Sequence, residues 1–395
     1  MKSGEFSYTS TNLYIWQLPN WPNLQFDAAA LATPLAAVHR AQGKLAGRMQ
    51  ALGLPQRRLA ALQMLSSDVL TTSEIEGEQL NLETVRSSFA RRLNVDIGAL
   101  APKDRHVDGV VDMVLDATQG YDQPLTTERL LAWHAGLFPT PENSTDVSAR
   151  FLLNPVKSGS WRVDALGAMQ VVSGSAGRQT VHFEAPPAQR LDAEISVFLS
   201  WFNSNTASPT LDLVPDSVIK AGLAHLWFVT LHPFDDGNGR IARAVGDMAL
   251  AKAEQSTQRF YSLSAQIQRE RQAYYELLES TQKGDLDVTA WLHWFLNCLL
   301  RAITAADVTL SAVLFKADFW QRWAGTPLNA RQVILLNRLL DGFEGKLTSS
   351  KWGAIAKCSP DTALRDIQDL LVRGMLQKSE SGGRSTSYTI NNIAA

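Results

Sequence analysis

The sequence predicts a mainly α-helical protein with a β-hairpin inserted near its middle and a separate C-terminal unit of the order helix–helix–helix–hairpin. Three observations predict it. Apolar residues recur at helical spacing through most of the chain up to residue 324. That texture breaks over residues 139–190, where Pro, Gly and Ser cluster around two short strand-like runs. Beyond Thr326-Pro327 the helices shorten, and two strand-like pieces flank a Gly-Gly-Arg turn.

Residues 12–26 (NLYIWQLPNWPNLQF) are rich in Trp and Pro and read as an extended arm. Helical periodicity follows over Ala28–Gly53, Pro55–Ser67, Asn81–Leu93, Val107–Thr118 and Asp122–Phe138, the last with an N-cap signal at Thr126-Thr127-Glu128. Met169–Val172 and Thr180–Phe183, joined by Ser173-Gly174-Ser175-Ala176-Gly177-Arg178, read as the hairpin. Helices resume over Leu191–Asn203, Asp216–Leu231, Arg240–Ala253, Ile267–Gln282 and Val288–Ala324. Beyond residue 326, helices are predicted at Gln332–Gly342, Lys351–Cys358 and Asp361–Arg373. Strands follow at Met375–Lys378 and Ser387–Ile390, the order of a winged helix. The domains read as 1–120, 121–325 and 326–395.

At 395 residues the chain is long enough for two or three domains. A net charge of −2 and a pI near 6.4 exclude a strongly basic nucleic-acid binder as the description of the whole chain. Cys298 and Cys358 lie far apart with no metal-ligand spacing, so no disulfide framework is indicated. The N-terminal MKSGEFSYTSTNLYIW has no apolar core of signal-peptide length, and no run approaches a membrane span. A cytoplasmic protein without a membrane partner is the expectation, and the glycosylation sequon at Asn143-Ser144-Thr145 reads as chance.

One stretch concentrates chemistry: His232-Pro233-Phe234-Asp235-Asp236-Gly237-Asn238-Gly239-Arg240-Ile241-Ala242-Arg243. His232 arrives at a helix end as a side chain suited to take a proton from a hydroxyl. Asp236-Gly237-Asn238-Gly239 permits positive φ and turns successive N–H groups into one concavity, an anion nest. That nest sits at the start of the next helix, where the macrodipole favours phosphate. Asp236 is a hard oxygen ligand of the kind that holds Mg²⁺ against phosphates. Arg240 and Arg243, three apart, share a helix face able to grip polyphosphate. Each piece alone is commonly structural; together they point to a nucleoside triphosphate.

The stretch resembles the Fic family signature, HPFx[D/E]GNGRxxR, at every fixed position. The resemblance implies a Fic-type helical core with a hairpin flap, and transfer of AMP from ATP to a Ser, Thr or Tyr hydroxyl of a target protein. It implies His232 as general base, Asp236 as the Mg²⁺ ligand, and Gly237, Asn238 and Gly239 as the phosphate cradle. Arg240 and Arg243 would hold the β- and γ-phosphates. Gly159-Ser160-Trp161-Arg162 and Val181-His182-Phe183-Glu184-Ala185-Pro186-Pro187 look like the family's flap region. There Val172, Gly174, Val181 and His182 would clamp a target segment by strand addition, though a bare hairpin is also an ordinary surface element. Tyr274-Tyr275-Glu276-Leu277-Leu278-Glu279 resembles the lining of the adenine pocket, with Tyr275 as the contact, or else is core packing; Gln282 stands where some relatives carry Asn.

Thr72-Ser73-Glu74-Ile75-Glu76-Gly77 fits [S/T]xxxE[G/N], which resembles the family's inhibitory helix and places such a helix near residues 71–80. The resemblance implies that Glu76 pairs with Arg243 and occupies the γ-phosphate position. Ser73-x-x-Glu76 equally fits a capping box at a helix start. In the C-terminal unit the helix at 361–373 and the turn at 381–386 resemble the recognition helix and wing of bacterial winged-helix domains. Nine Lys/Arg against six Asp/Glu over residues 327–395 is a modest excess. Asp361, Asp366 and Asp369 suit protein docking or dimerisation at least as well as DNA.

The leading expectation is thus a self-inhibited protein adenylyltransferase using ATP and Mg²⁺, with itself among its targets and a homodimer compatible. The alternatives are a DNA-binding regulator using the core as a nucleotide sensor, and a Fic enzyme that removes AMP or transfers another phospho-group. The target protein is not legible.

Overall fold

In the computed structural model, the described residues are 14–395 apart from 96, 98, 99, 140–155, 166, 175–177, 205–215, 341, 342, 344, 380–385 and 392–395. The Asn143 sequon, the hairpin turn at 175–177 and residues 381–385 of the wing turn lie outside them. The chain divides into two compact units, one up to Asp307 and one from Val308.

The first unit is helical apart from its hairpin. Its elements run α1 (Ala28–Gln50), α2 (Leu54–Ile75), α3 (Leu82–Leu93), α4 (Arg105–Gln119), α5 (Thr127–Leu137), β1 (Gln170–Ser173), β2 (Thr180–Glu184) and α6 (Leu191–Asn203). They continue through α7 (Ser217–Leu231), α8 (Asn238–Glu254), α9 (Leu263–Arg269), α10 (Arg271–Gln282) and the start of α11 (Thr289–Arg322). At the centre lie α7 and α8, packed against each other. Every residue of α7 from Ala221 to Leu231 is buried, so this helix is enclosed on all faces rather than amphipathic. Gly222 is where α11 comes close: a Cβ there would crowd Leu292 and Phe295.

Side-chain caps set several helix starts. Asp27, Asn81, Asp104, Thr126 and Asp216 each accept a first-turn N–H. α5 starts at Thr127 rather than Asp122, because Pro124 disfavours helical geometry in the residue before it. The predicted helix over Ile267–Gln282 is two helices that meet at Glu270. Its carboxylate accepts from Nε and Nη2 of Arg301 at 2.6 Å and from the Gln266 amide at 2.5 Å, a tertiary anchor with no trace in the local periodicity.

The N-terminal arm holds a short 3₁₀ turn, Ile15–Gln17. Its Trp16 packs with Phe183 and Ala185 beneath the hairpin, and the indole N–H donates to the Glu184 carbonyl at 2.7 Å. Trp21 donates to Glu194 at 3.0 Å and meets Trp227 of α7 edge-on. The arm therefore ties the hairpin base to the central helices.

By length and composition α11 could cross a membrane, contrary to the expectation that no run approaches a span. Its Trp291, Leu292, Phe295, Leu296 and Leu299 are buried in the core, so the apolar character serves packing.

The second unit holds the end of α11, then α12 (Ala330–Leu340), α13 (Ser349–Ala356), α14 (Pro360–Val372), β3 (Leu376–Lys378) and β4 (Tyr388–Ile390). β3 and β4 pair antiparallel, and Leu347 adds a bridge to Tyr388. Trp352, Ile367, Leu370 and Leu336 fill the core. Two of the three acids on α14 are paired within the unit, and one of them, Asp366, is buried. Asp366 is buried on Arg331 at 2.8 Å and on Asn329 at 2.9 Å. Asp369 accepts from Gln332 at 2.8 Å and Arg373 at 2.9 Å. The outward face of α14 is thus less acidic than its sequence suggests.

Because Trp16 is the largest side chain under the hairpin, Trp16→Ala should cost about 2–3 kcal/mol of stability. It should also speed protease cleavage around residues 170–184. An unchanged melting temperature together with unchanged cleavage would contradict this bracing role.

Candidate functional site

The motif loop joins the two central helices. α7 ends at His232, which adopts the left-handed conformation (φ 47°, ψ 56°), and Pro233 bars another turn. A non-glycine residue held there costs on the order of 1 kcal/mol, so its surroundings must hold it. Arg162 does so: its Nε donates to the His232 carbonyl at 2.8 Å and its backbone N–H to the Pro233 carbonyl at 3.0 Å. The same guanidinium reaches the Pro186 carbonyl beyond the hairpin and Asp164. Phe234 is fully buried and stacks on His134 with ring centres 4.1 Å apart.

The next turn opens α8. Gly237 sits at φ 81°, where a Cβ would also meet the Phe138 ring. The Asn238 side chain closes the loop on itself, accepting from Phe234 N–H at 2.9 Å and donating to the Phe234 carbonyl at 2.8 Å. Its amide is therefore spent on loop shape, which leaves its backbone N–H as the group it could offer an anion. No side chain caps α8, which leaves the first-turn N–H groups and the positive end of the helix dipole for an incoming anion. Arg240 and Arg243 are both almost fully buried, one turn further along.

What faces these groups is Glu76. Its Oε1 accepts from Arg243 Nη2 at 2.7 Å, and it lies so close to Gly239 that a Cβ there would collide with it. Arg243 is further fixed by Thr72, whose hydroxyl accepts from Nε at 2.7 Å and whose carbonyl accepts from Nη2 at 2.9 Å. Burial disfavours the charged guanidinium, but Glu76, Tyr274 and Tyr275 outweigh it and hold the Arg243 pKa above its ordinary value. The capping-box alternative does not hold. Ser73 lies in the last turn of α2, not at a helix start. The helix closes with Glu78 N–H on the Ser73 carbonyl (3.0 Å), Gly77 N–H on the Glu74 carbonyl (3.0 Å) and Gly77 at φ 86°. This is a Schellman ending, which explains the glycine after Glu76.

The hairpin pairs Val172 with Val181 and Ser173 with Thr180, with an irregularity between Val171 and Val172. Val172 and Val181 are exposed and Gly174 has φ 99°. His182 Nδ1 lies 2.6 Å from Glu279 of α10, and Ser173 lies 2.6 Å from its Nε2, so the hairpin is latched to that helix. The tyrosine pair divides. Tyr274 is core, its hydroxyl 3.0 Å from His225, whereas Tyr275 is exposed with Arg271 over its ring. Burial of part of its side chain first, then the charge of Glu76, raises the Tyr275 pKa. Gln282 donates to Thr230 at 3.2 Å.

The loop-holding role of Arg162 was not legible from the sequence, which signalled only a flap-like run. Glu78 and His106 were missed altogether. Glu78 accepts from Arg240 Nη1 at 2.7 Å and lies 3.2 Å from His106 Nε2.

Burial, chiefly, lowers the His232 pKa to about 4; nearby Arg162 adds to this, and the Val229 carbonyl and Glu76 oppose it. The imidazole is neutral at pH 7, and Nδ1–H donates to the Val229 carbonyl at 3.3 Å, leaving Nε2 bare to accept a proton. Asp236 is exposed; its carboxylate accepts the Gly237 N–H at 2.6 Å and is paired with no cation among the described residues. Those residues gather no group of three or more His, Cys, Asp or Glu. A lone free carboxylate beside an anion nest fits Mg²⁺, which takes one or two carboxylates plus substrate phosphates.

Residues 124–250 match the Fic/DOC family, and residues 14–95, which include α2 and Glu76, match a domain of unknown function, DUF4172. The segment 124–250, which holds the His232–Arg243 motif, is thus a Fic/DOC family domain. It is similar to the Protein adenylyltransferase Fic of Aedes aegypti, 26% identical over 231 residues that make up 58% of this chain and 39% of that protein. It is similar also to the Protein adenylyltransferase Fic of Nematostella vectensis, 30% identical over 121 residues, 30% of this chain and 25% of that one. The chain thus spans less than half the length of these curated relatives. Among solved structures it is similar to a Fic family protein from Desulfovibrio desulfuricans G20, with a TM-score of 0.49 and 17% identity, covering 93% of this chain and 98% of that one.

Since the free protein keeps His232 neutral, the acid limb of the kcat/KM profile should lie at about pH 4–5 rather than near the ordinary histidine value of about 6.5. The same shift makes the unfolded chain take the proton first, so stability falls as pH drops from 6.5 towards 4. Circular dichroism at each pH separates the two effects, and an acid limb centred above pH 6 in folded protein would contradict the assignment.

Proposed function

We infer that the chain is a protein adenylyltransferase that moves AMP from ATP to a Ser, Thr or Tyr hydroxyl, itself among the targets, and that Glu76 restrains it. The single observation behind this reading is the convergence at one helix N-terminus of a bare His232 Nε2, an uncapped turn of N–H groups and two buried arginines. The names of the similar curated proteins support it.

In this mechanism His232 Nε2 takes the proton of the target hydroxyl as its oxygen bonds to the α-phosphorus. The bond from that phosphorus to the bridging oxygen breaks, and pyrophosphate leaves. Phosphoryl-type transfer needs positioning and charge stabilisation more than covalent help. The N–H groups of Asn238 and Gly239, with Arg240 and Arg243, receive the negative charge. Asp236 would hold Mg²⁺, which supplies charge neutralisation of the phosphates. The edge of the hairpin would take the target segment as an added strand, with Val172, Gly174, Val181 and His182 nearest it. Tyr275 lines the nucleoside side.

Incubation with α-labelled ATP tests the reading. His232→Ala should abolish incorporation while ATP binding stays nearly intact, and Asp236→Ala should weaken ATP binding more than adenosine binding. Wild-type incorporation in the His232 variant would sink the assignment, and a rate indifferent to chelators would remove the metal from it.

A further inference from the structure

The geometry points to Glu78 as a second inhibitory carboxylate, which holds Arg240 as Glu76 holds Arg243, so that the pocket excludes polyphosphate through both of its arginines. The inference rests on the nucleotide-binding reading above and extends its regulation to a residue outside the [S/T]xxxE[G/N] pattern.

Glu76 and Glu78 flank Gly77. In extended chain, side chains two apart point to the same side but lie roughly 7 Å apart along one line. Here the left-handed Gly77 and the Schellman closure of α2 fold the segment back. The two carboxylates then meet successive arginines on one face of α8, Glu76 on Arg243 at 2.7 Å and Glu78 on Arg240 at 2.7 Å.

Arg240 has nowhere else to turn. Its side chain is 1% exposed, its guanidinium lies over the Phe138 ring, and its Nε is buried without a hydrogen-bond partner among the described residues. A buried guanidinium in that position requires an anion; Glu78 supplies it in this state, and a phosphate would supply it in the loaded one. Glu78 is in turn steered by His106 from α4. That imidazole lies 3.2 Å from Glu78 Oε2 and donates from Nδ1 to the Leu137 carbonyl at 3.0 Å. His106 is thus a positioning residue: it fixes the rotamer that brings Glu78 to Arg240. Glu78 itself is over a third exposed, so it can swing out to solvent without unfolding the site.

Relief of Glu76 alone would leave Arg240 occupied, and full access to the triphosphate would need both carboxylates displaced. The test is calorimetric binding of inorganic tripolyphosphate and, separately, adenosine to wild type, Glu78→Gln, Glu76→Gln and the double variant. Tripolyphosphate affinity should rise about ten-fold for Glu78→Gln and rise further in the double variant than in either single one, with adenosine affinity unchanged. His106→Gln should give a smaller rise of the same sign, whereas Glu78→Asp, which keeps the charge, should stay near wild type. Tripolyphosphate affinity in Glu78→Gln within two-fold of wild type, at an unchanged melting temperature, would overturn the inference. Because no transfer is measured, that failure is distinct from failure of the adenylyltransferase reading, which would show as absent AMP incorporation in every variant.

Discussion

The Arg243 guanidinium is the constraint around which the rest of the site is arranged. It is buried at the heart of a helical core, where an unpaired charge would cost several kcal/mol. Some anion must therefore accompany it at all times. In this state the anion is Glu76, helped by the hydroxyl and carbonyl of Thr72. The position of Glu76, in contact distance of Gly239 at the start of α8, is also where the helix N-terminus and its free N–H groups favour phosphate. A pocket that holds an internal carboxylate thus also has the groups to hold a polyphosphate, and under the proposed function restraint would follow from exclusion of one by the other.

The remaining structure keeps that pocket in register. The burial of most of α7 and α8 makes a rigid base, and the strained conformation of His232 at their junction is held by Arg162. Arg162 also reaches the carbonyl of Pro186, so His232 and the base of the hairpin share one anchor. From the other side Trp16 and Trp21 fasten the hairpin base and α7, and the latch between His182 and Glu279 fastens the hairpin to α10. The hairpin is thus an edge braced at its base.

Much of this was readable in the sequence because it is local. The His232–Arg243 run carries its own turn, nest and helix start, so twelve consecutive residues define most of the site. The order of helices followed from apolar periodicity. What escaped the sequence is tertiary. The joint at Glu270 depends on Arg301, thirty-one residues away. Glu78 meets its partner Arg240 across 162 residues, and nothing in the local spacing distinguishes it from a solvated glutamate. Ser73 and Glu76 left two readings open because a capping box and the last turn of a helix can show the same residues at the same spacing. Only the helix direction around Gly77 decides between them. The pairing of Asp366 and Asp369 likewise depends on Asn329 and on Arg331 and Gln332 of α12.

The central claim is that Arg243 cannot hold Glu76 and a productive triphosphate together. Labelled-AMP incorporation and melting temperature, measured on the same preparation of Glu76→Gly, test it most directly. A close, partly buried Glu–Arg pair can hold back about 2–4 kcal/mol of productive binding, so incorporation should rise roughly thirty- to several-hundred-fold, with at most a modest loss of thermal stability. Incorporation at the wild-type rate with a lowered melting temperature would contradict the account and reduce the pair to a structural contact.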